Sequence, residues 1–209
     1  GNYNLISSLE NPSYFNITPS SVSVTFPDDP SPFIQNFCIT PNGNHPDLEI
    51  SILPLTPARP GFDTKCKLFY KNKGNQLQSG SFSLTFNDNV LDLVSSVPLQ
   101  NTISGNMLSW NFTDLSPMES REVMVVFNAN TPTESPALNA NDVISFTANI
   151  TSALVDEIPI DNIFNLNQTV VNSYDPNDKT CLQGKTVSSE VIGEYVHYLI
   201  RFENTGSYN

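Results

Sequence analysis

Apolar and polar residues alternate with a period of two over most of this chain. Val22, Val24 and Phe26 share one face of such a run, and Leu48, Ile50 and Ile52 share the next. The same alternation groups Phe82, Leu84 and Phe86, then Leu108, Trp110 and Phe112, then Val123, Val125 and Phe127. Strands with one buried face have this period, whereas an amphipathic helix repeats its apolar residues three and four apart. Further strands are expected over residues 3–6, 14–17, 33–39, 62–70, 90–94, 143–150 and 162–171. Polar turns separate them, at residues 27–30, 87–89 and 115–120, and the strand after Asn89 is expected to continue the same sheet. Seven or more short strands at this spacing predict an all-β fold: an antiparallel immunoglobulin-like β-sandwich with partial β-modules on both sides.

One strand pattern occurs twice. Gly61, Leu68, Tyr70, Asn72 and Gly74 recur as Gly193, Ile200, Phe202, Asn204 and Gly206, each 132 positions further on. Both copies end in an Asn-x-Gly turn, and a period of this size predicts tandem domains. It divides the chain into residues 1–46, the end of a first β-module; 47–174, a complete sandwich; and 175–209, a linker with the first strands of a following repeat. On this division the chain is a segment of a longer protein. The last piece is too short to bury a core alone. Its repeat strand is therefore expected to lean on the middle unit, on residues 1–46 or on a neighbouring chain.

Charge narrows the choice of partners. Nine Lys and Arg stand against 21 Asp and Glu, a formal net charge of −12. Such a surface repels phosphate backbones and anionic lipids, which disfavours nucleic acid and membrane surfaces. No apolar run reaches the roughly 20 residues of a membrane-spanning helix. Cys38, Cys66 and Cys181 lack metal-ligand spacing. Cys66 falls on the repeat strand and reads as a small buried hydrophobe, while pairing of Cys38 with Cys181 is left open.

Three stretches resemble known families. Residues 1–5, the Tyr14-Phe15 pair, the Pro19–Val22 run and Asn36-Phe37 resemble the closing strands of carboxypeptidase-regulatory-like or collagen-adhesin-B-like modules, which are prealbumin-like sandwiches. Tyr70-x-Asn72-x-Gly74, Leu108-x-Trp110-x-Phe112 and Leu115-Ser-Pro-x-Glu119 resemble the conserved-repeat β-sandwich domains of bacterial surface proteins. Residues 170–179, with Cys181, Gly184 and the second repeat copy, look like a module near the C-terminal end of large secreted Bacteroidetes proteins. Those proteins carry a type IX secretion sorting signal, so the resemblance implies export to the cell surface or medium.

Candidate chemistry is sparse. His45 lies in a proline-flanked linker over residues 40–46, and His197 corresponds to Lys65 in the first repeat copy, an outward polar position. The chain has no Gly-x-Ser-x-Gly elbow, no His-Glu-x-x-His pair and no phosphate loop, and it is read as non-enzymatic. Trp110 shares its phase with Leu108 and Phe112, which makes it a core residue rather than a sugar-stacking platform. The adhesin resemblance raises a Lys–Asn cross-link from Lys65 or Lys67 to Asn72, although no acidic partner for it can be named. The Asn-x-Ser/Thr sites at Asn16, Asn111, Asn149 and Asn167 are chance in an Asn-rich chain of this kind.

One constellation is acidic and brackets the last strand of the middle unit. Asp156, Asp161, Asp175, Asn177 and Asp178 could together supply oxygen ligands for Ca2+ across the joint to the third piece. Ordinary turn chemistry accounts for the same residues, since Asp-Pro and Asn-Asp favour tight turns. The chain is thus expected to be a structural stalk or spacer of an exported, adhesin-like bacterial surface protein, with neighbouring β-domains of the same polypeptide as partners. The alternative is a module that binds polysaccharide or another cell-surface ligand for adhesion or substrate capture.

Overall fold

The computed structural model describes residues 1–171, 178–184, 186, 193 and 195–201; the side chain of Asp178 lies outside that description. The chain is all-β, and its strand pairs are antiparallel. Nine strands form an immunoglobulin-like sandwich: β5 (Leu48–Pro54), β6 (Asp63–Asn72), β7 (Gln78–Thr85), β8 (Leu91–Val97), β9 (Thr102–Ser104), β10 (Met107–Leu115), β11 (Ser120–Ala129), β12 (Val143–Ser152) and β13 (Ile163–Thr169). One sheet runs β13-β12-β7-β10-β9 and the other β5-β6-β11-β8.

The inner faces are the alternating sets read from the sequence. Leu68, Leu84, Leu108, Val125 and Phe127 are completely buried, and Trp110 is 2% exposed. Aromatic contacts join the two sheets: Tyr70 of β6 lies 4.5 Å from Phe82 of β7, and Phe127 of β11 lies 5.7 Å from Phe146 of β12. Trp110 stacks on Phe82 at 5.2 Å and donates its indole N–H to Pro98 O at 3.1 Å. Burying such rings drives closure of the sandwich, and the satisfied indole N–H removes the desolvation penalty of placing Trp inside.

Before the sandwich, β1 (Asn2–Leu5) pairs with β3 (Val22–Thr25), and β2 (Phe15–Thr18) pairs with β4 (Cys38–Pro41). The strand expected over residues 33–39 is thus confined to Cys38–Pro41, which takes in part of the expected linker. Its ladder can be no longer, because β2 spans four residues between a 3₁₀ turn at Pro12–Tyr14 and Pro19. The strand after Asn89 is a second departure: β8 joins the sheet opposite β7, pairing with β11. The Asn87–Asn89 turn, in which Asn87 Oδ1 accepts from Asn89 N at 3.2 Å, carries the chain across the core. Alternation specifies which face is buried but not which sheet a strand joins.

After the sandwich, β14 (Asp178–Cys181) pairs with β15 (Tyr198–Arg201), which lies within the second copy of the repeat. Among the described residues, the strand paired with β15 is thus one of its own segment, not one of the middle unit or of residues 1–46. All three cysteines are free thiols; Cys66 is buried and its thiol is pushed up to about 12 by that burial.

Candidate functional site

The acidic residues converge where the chain enters the sandwich. Asp47 immediately precedes β5 and is completely buried. Its backbone carbonyl accepts from Lys73 N at 2.9 Å and Gly74 N at 3.0 Å, so the Asn72-Lys73-Gly74 turn cradles it. A Cβ on Gly74 would lie 2.2 Å from His45 O and 2.7 Å from Asp47 N, which is why the turn ends in glycine. Asn72 shapes the same turn from below: its Oδ1 accepts from Gly74 N at 3.1 Å, and its Nδ2 donates to Gln76 O and Leu115 O. That commits the Asn72 amide fully, and Lys65 and Lys67 fall on the opposite strand phase. The Lys–Asn cross-link therefore does not form in this fold.

Asp156 and Asp161 reach Asp47 from the β12–β13 loop. The Asp156 carboxylate accepts from Leu48 N at 2.8 Å through Oδ2, capping β5, and from Ile158 N at 2.8 Å through Oδ1. Asp161 O accepts from Ile50 N at 3.1 Å, and its Oδ2 takes an ion pair from Lys73 Nζ at 2.9 Å. One carboxylate oxygen from each of Asp47, Asp156 and Asp161 lies within 4.8 Å of the others. Two oxygens of this triad, Asp47 Oδ1 and Asp161 Oδ1, are buried and meet no hydrogen-bond donor; Asn162 Oδ1, on the next residue, is in the same position.

The surrounding charges set the electrostatics. Lys73 Nζ also lies 3.7 Å from Glu10 Oε1 and 3.7 Å from Glu49 Oε2. Burial works against the Lys73 charge, but the Asp161 hydrogen bond and the neighbouring carboxylates outweigh it and hold the ammonium above its usual range. Asp47 is pushed up to about 6, chiefly by burial; Lys73 opposes the shift, while Asp161, Asp156 and Glu10 add to it. Tyr14 is raised to about 12, by burial first and then by Asp47 and Glu157.

The same locus joins the N-terminal segment to the sandwich. Asn11 Nδ2 donates to Asp47 Oδ2 at 3.1 Å, and Lys71 pairs with Glu10. Asn75 donates to Tyr14 O at 2.8 Å and Gly43 O at 3.2 Å, while its Oδ1 accepts from His45 N at 2.9 Å. The His45 ring stacks on Tyr14 at 4.3 Å, and its Nδ1 lies 2.8 Å from Glu157 Oε1.

Of the residues singled out for a cation in the sequence, Asp156 and Asp161 thus meet each other and Asp47. Asp175 and Asn177 lie outside the described residues, and Asp178 is placed only as the first residue of β14. The β12–β13 loop and Val170 stand at opposite ends of the seven-residue β13, about 20 Å apart at 3.3 Å per residue. Sequence reasoning missed Asp47, Lys73, Asn11 and Asn75. The available signal was Lys73, the middle residue of the first Asn-x-Gly turn, where the second copy has Thr205.

The profile of one family, a domain of unknown function (DUF7619), matches residues 175–209. No curated protein matches the chain. Among solved structures, the CARDB domain of the Pyrococcus furiosus PF1109 protein, in complex with di-metal ions, is 15% identical with a TM-score of 0.43, over 61% of this chain and 90% of that one. A Clostridium perfringens cohesin module from a family 33 glycoside hydrolase is 9% identical with a TM-score of 0.42, over 61% and 99%. The major pilin subunit BcpA of Bacillus cereus is 12% identical with a TM-score of 0.43, over 92% and 66%. These are likenesses of fold, to β-sandwich modules.

Proposed function

We propose that this chain is a non-enzymatic spacer of an exported bacterial surface protein, one that holds neighbouring β-domains of the same polypeptide at a defined separation and angle. Residues 1–46, 47–174 and 175–209 are its successive units, and the sequence resemblances support an extracellular, Bacteroidetes, type IX-secreted context. The observation that carries the reading is the junction at Asn75. A side chain only 4% exposed bonds Tyr14, Gly43 and His45 at once, so the first unit and the sandwich are joined through one buried, fully committed amide. Buried polar contacts of this kind fix orientation, because swinging the unit away strands several polar groups without partners. A spacer needs that stiffness; a ligand-binding module does not.

Two measurements test this. Antibodies raised against the chain are expected to label intact cells, with labelling lost when type IX export is disabled. The purified chain is expected to pass unretained over insoluble cellulose, chitin and xylan. Retention on any of these, competed by soluble oligosaccharide, would replace the spacer with a polysaccharide-binding module.

A further inference from the structure

We propose that Asp47, Asp156 and Asp161 form a binding site for a hard divalent cation of calcium size, at the edge where the chain enters the sandwich. An acidic cluster alone would not support this. What does is where the unsatisfied polar atoms fall. Among the described residues four buried side-chain polar atoms lack a partner, and Asp47 Oδ1, Asp161 Oδ1 and Asn162 Oδ1 are three of them. All three are oxygens, so each lacks something positive. Asp47 itself is 0% exposed, and its carboxylate faces the other two. A buried acceptor left without a donor is destabilising, more so when charged, so two of them within one triad, on Asp47 and Asp161, point to a common counter-charge.

The geometry admits a calcium-sized ion. Calcium binds oxygen at about 2.3–2.6 Å, so opposite ligands stand about 4.8 Å apart; magnesium, at about 2.1 Å, draws its ligands closer and holds its water more tightly. The three carboxylate oxygens fall within 4.8 Å of one another, close enough to share one calcium shell. They supply three of the six to eight ligands such an ion takes, with water completing the set. Charge agrees. Among the described residues, Glu10, Asp47, Glu49, Asp156, Glu157 and Asp161 have Lys71, Lys73 and His45 as their basic neighbours, which leaves negative charge in surplus whatever the state of the imidazole. Lys73 is an internal competitor: its ammonium holds Asp161 Oδ2 but leaves Asp161 Oδ1 unmet. A bound cation would tie the β12–β13 loop to the start of β5, and the site stands independently of the spacer reading.

The test is calorimetric titration of the whole chain with CaCl2, and separately with MgCl2, beside thermal melts with and without chelator. One calcium is expected to bind with a Kd of about 10⁻⁴–10⁻³ M, the range of extracellular modules, and to raise Tm more than equal magnesium does. Asp161→Asn and Asp156→Asn are each expected to weaken binding about tenfold or more, as the ligand charge falls. Lys73→Met retains every carboxylate and removes the competing cation, so it is expected to tighten binding about tenfold. That variant keeps the test decisive if a carboxylate variant fails to fold. Absence of heat and of any Tm shift at about 10 mM calcium, tenfold above the weakest Kd expected, overturns the site. So does an affinity that none of the three substitutions moves.

Discussion

Asp47 shows how burial, rather than identity, sets the behaviour of a side chain. Its carboxyl is pushed from its ordinary 3.8 up to about 6, because desolvation disfavours the charged form and Asp161, Asp156 and Glu10 add repulsion that Lys73 only partly offsets. The folded state therefore holds this proton more tightly than the unfolded chain does. The resulting stability is fully present below pH 4 and is lost as pH rises through 6. In chelated protein, stability measured by urea unfolding is thus expected to carry a component that falls between pH 4 and pH 7. Asp47→Asn, which keeps an acceptor for Asn11 and cannot ionise, is expected to flatten that component. An unchanged pH profile would show that Asp47 titrates normally. Trp110 illustrates the opposite case: its strand phase placed it in the core, and the structure adds only the Pro98 carbonyl that satisfies its indole N–H there.

Among the elements, the Asn72-Lys73-Gly74 turn explains why the repeated pattern ends as it does. Asn72 bonds three backbone groups, Lys73 neutralises Asp161, and Gly74 leaves room for the chain passing at His45 and Asp47. Gly74→Ala is expected to destabilise the fold by about 3 kcal/mol, because the added methyl meets backbone that cannot rotate away. At this chain length that is a fall in Tm of roughly 6–12 °C. Ala tolerated without loss would mean that the entering chain is free to shift. The β12–β13 loop is the complementary element. Asp156 caps β5 through Leu48 N, so a loop distant in sequence decides where the first strand of the sandwich begins.

At the scale of the whole molecule, the junction rather than the core carries the functional argument. The core is an ordinary two-sheet interior, closed by Tyr70, Phe82, Phe127 and Phe146. The N-terminal unit, by contrast, is attached through Asn11, Tyr14, His45 and Asn75. Asn75→Ala strands Gly43 O and His45 N and leaves Tyr14 O with Asn42 N alone. It is expected to speed amide exchange across residues 9–15 and 40–47 by tenfold or more while the sandwich strands exchange as before, since about 1–3 kcal/mol is lost at the joint alone. Uniformly faster exchange would instead make the two units one cooperative body.

The period-two pattern alone determined the fold class, the buried faces of β5, β7, β10 and β11 and the core position of Trp110, because burial of alternate residues is a local property that the sequence records directly; β9, three exposed residues long, left no such record. The sequence also records that the pattern of β6 recurs 132 positions on, at β15; the counterparts differ in burial, Leu68 being buried and Ile200 exposed. Sheet membership, as for β8, and the short reach of β4 were decided only by tertiary pairing, since each depends on what lies alongside. The acidic site was decided the same way. Asp156 and Asp161 were legible as oxygen ligands, but their neighbour Asp47 is more than a hundred residues away in the chain. Side-chain chemistry is written one residue at a time, whereas a site is a distance between residues, and only the folded chain sets that distance.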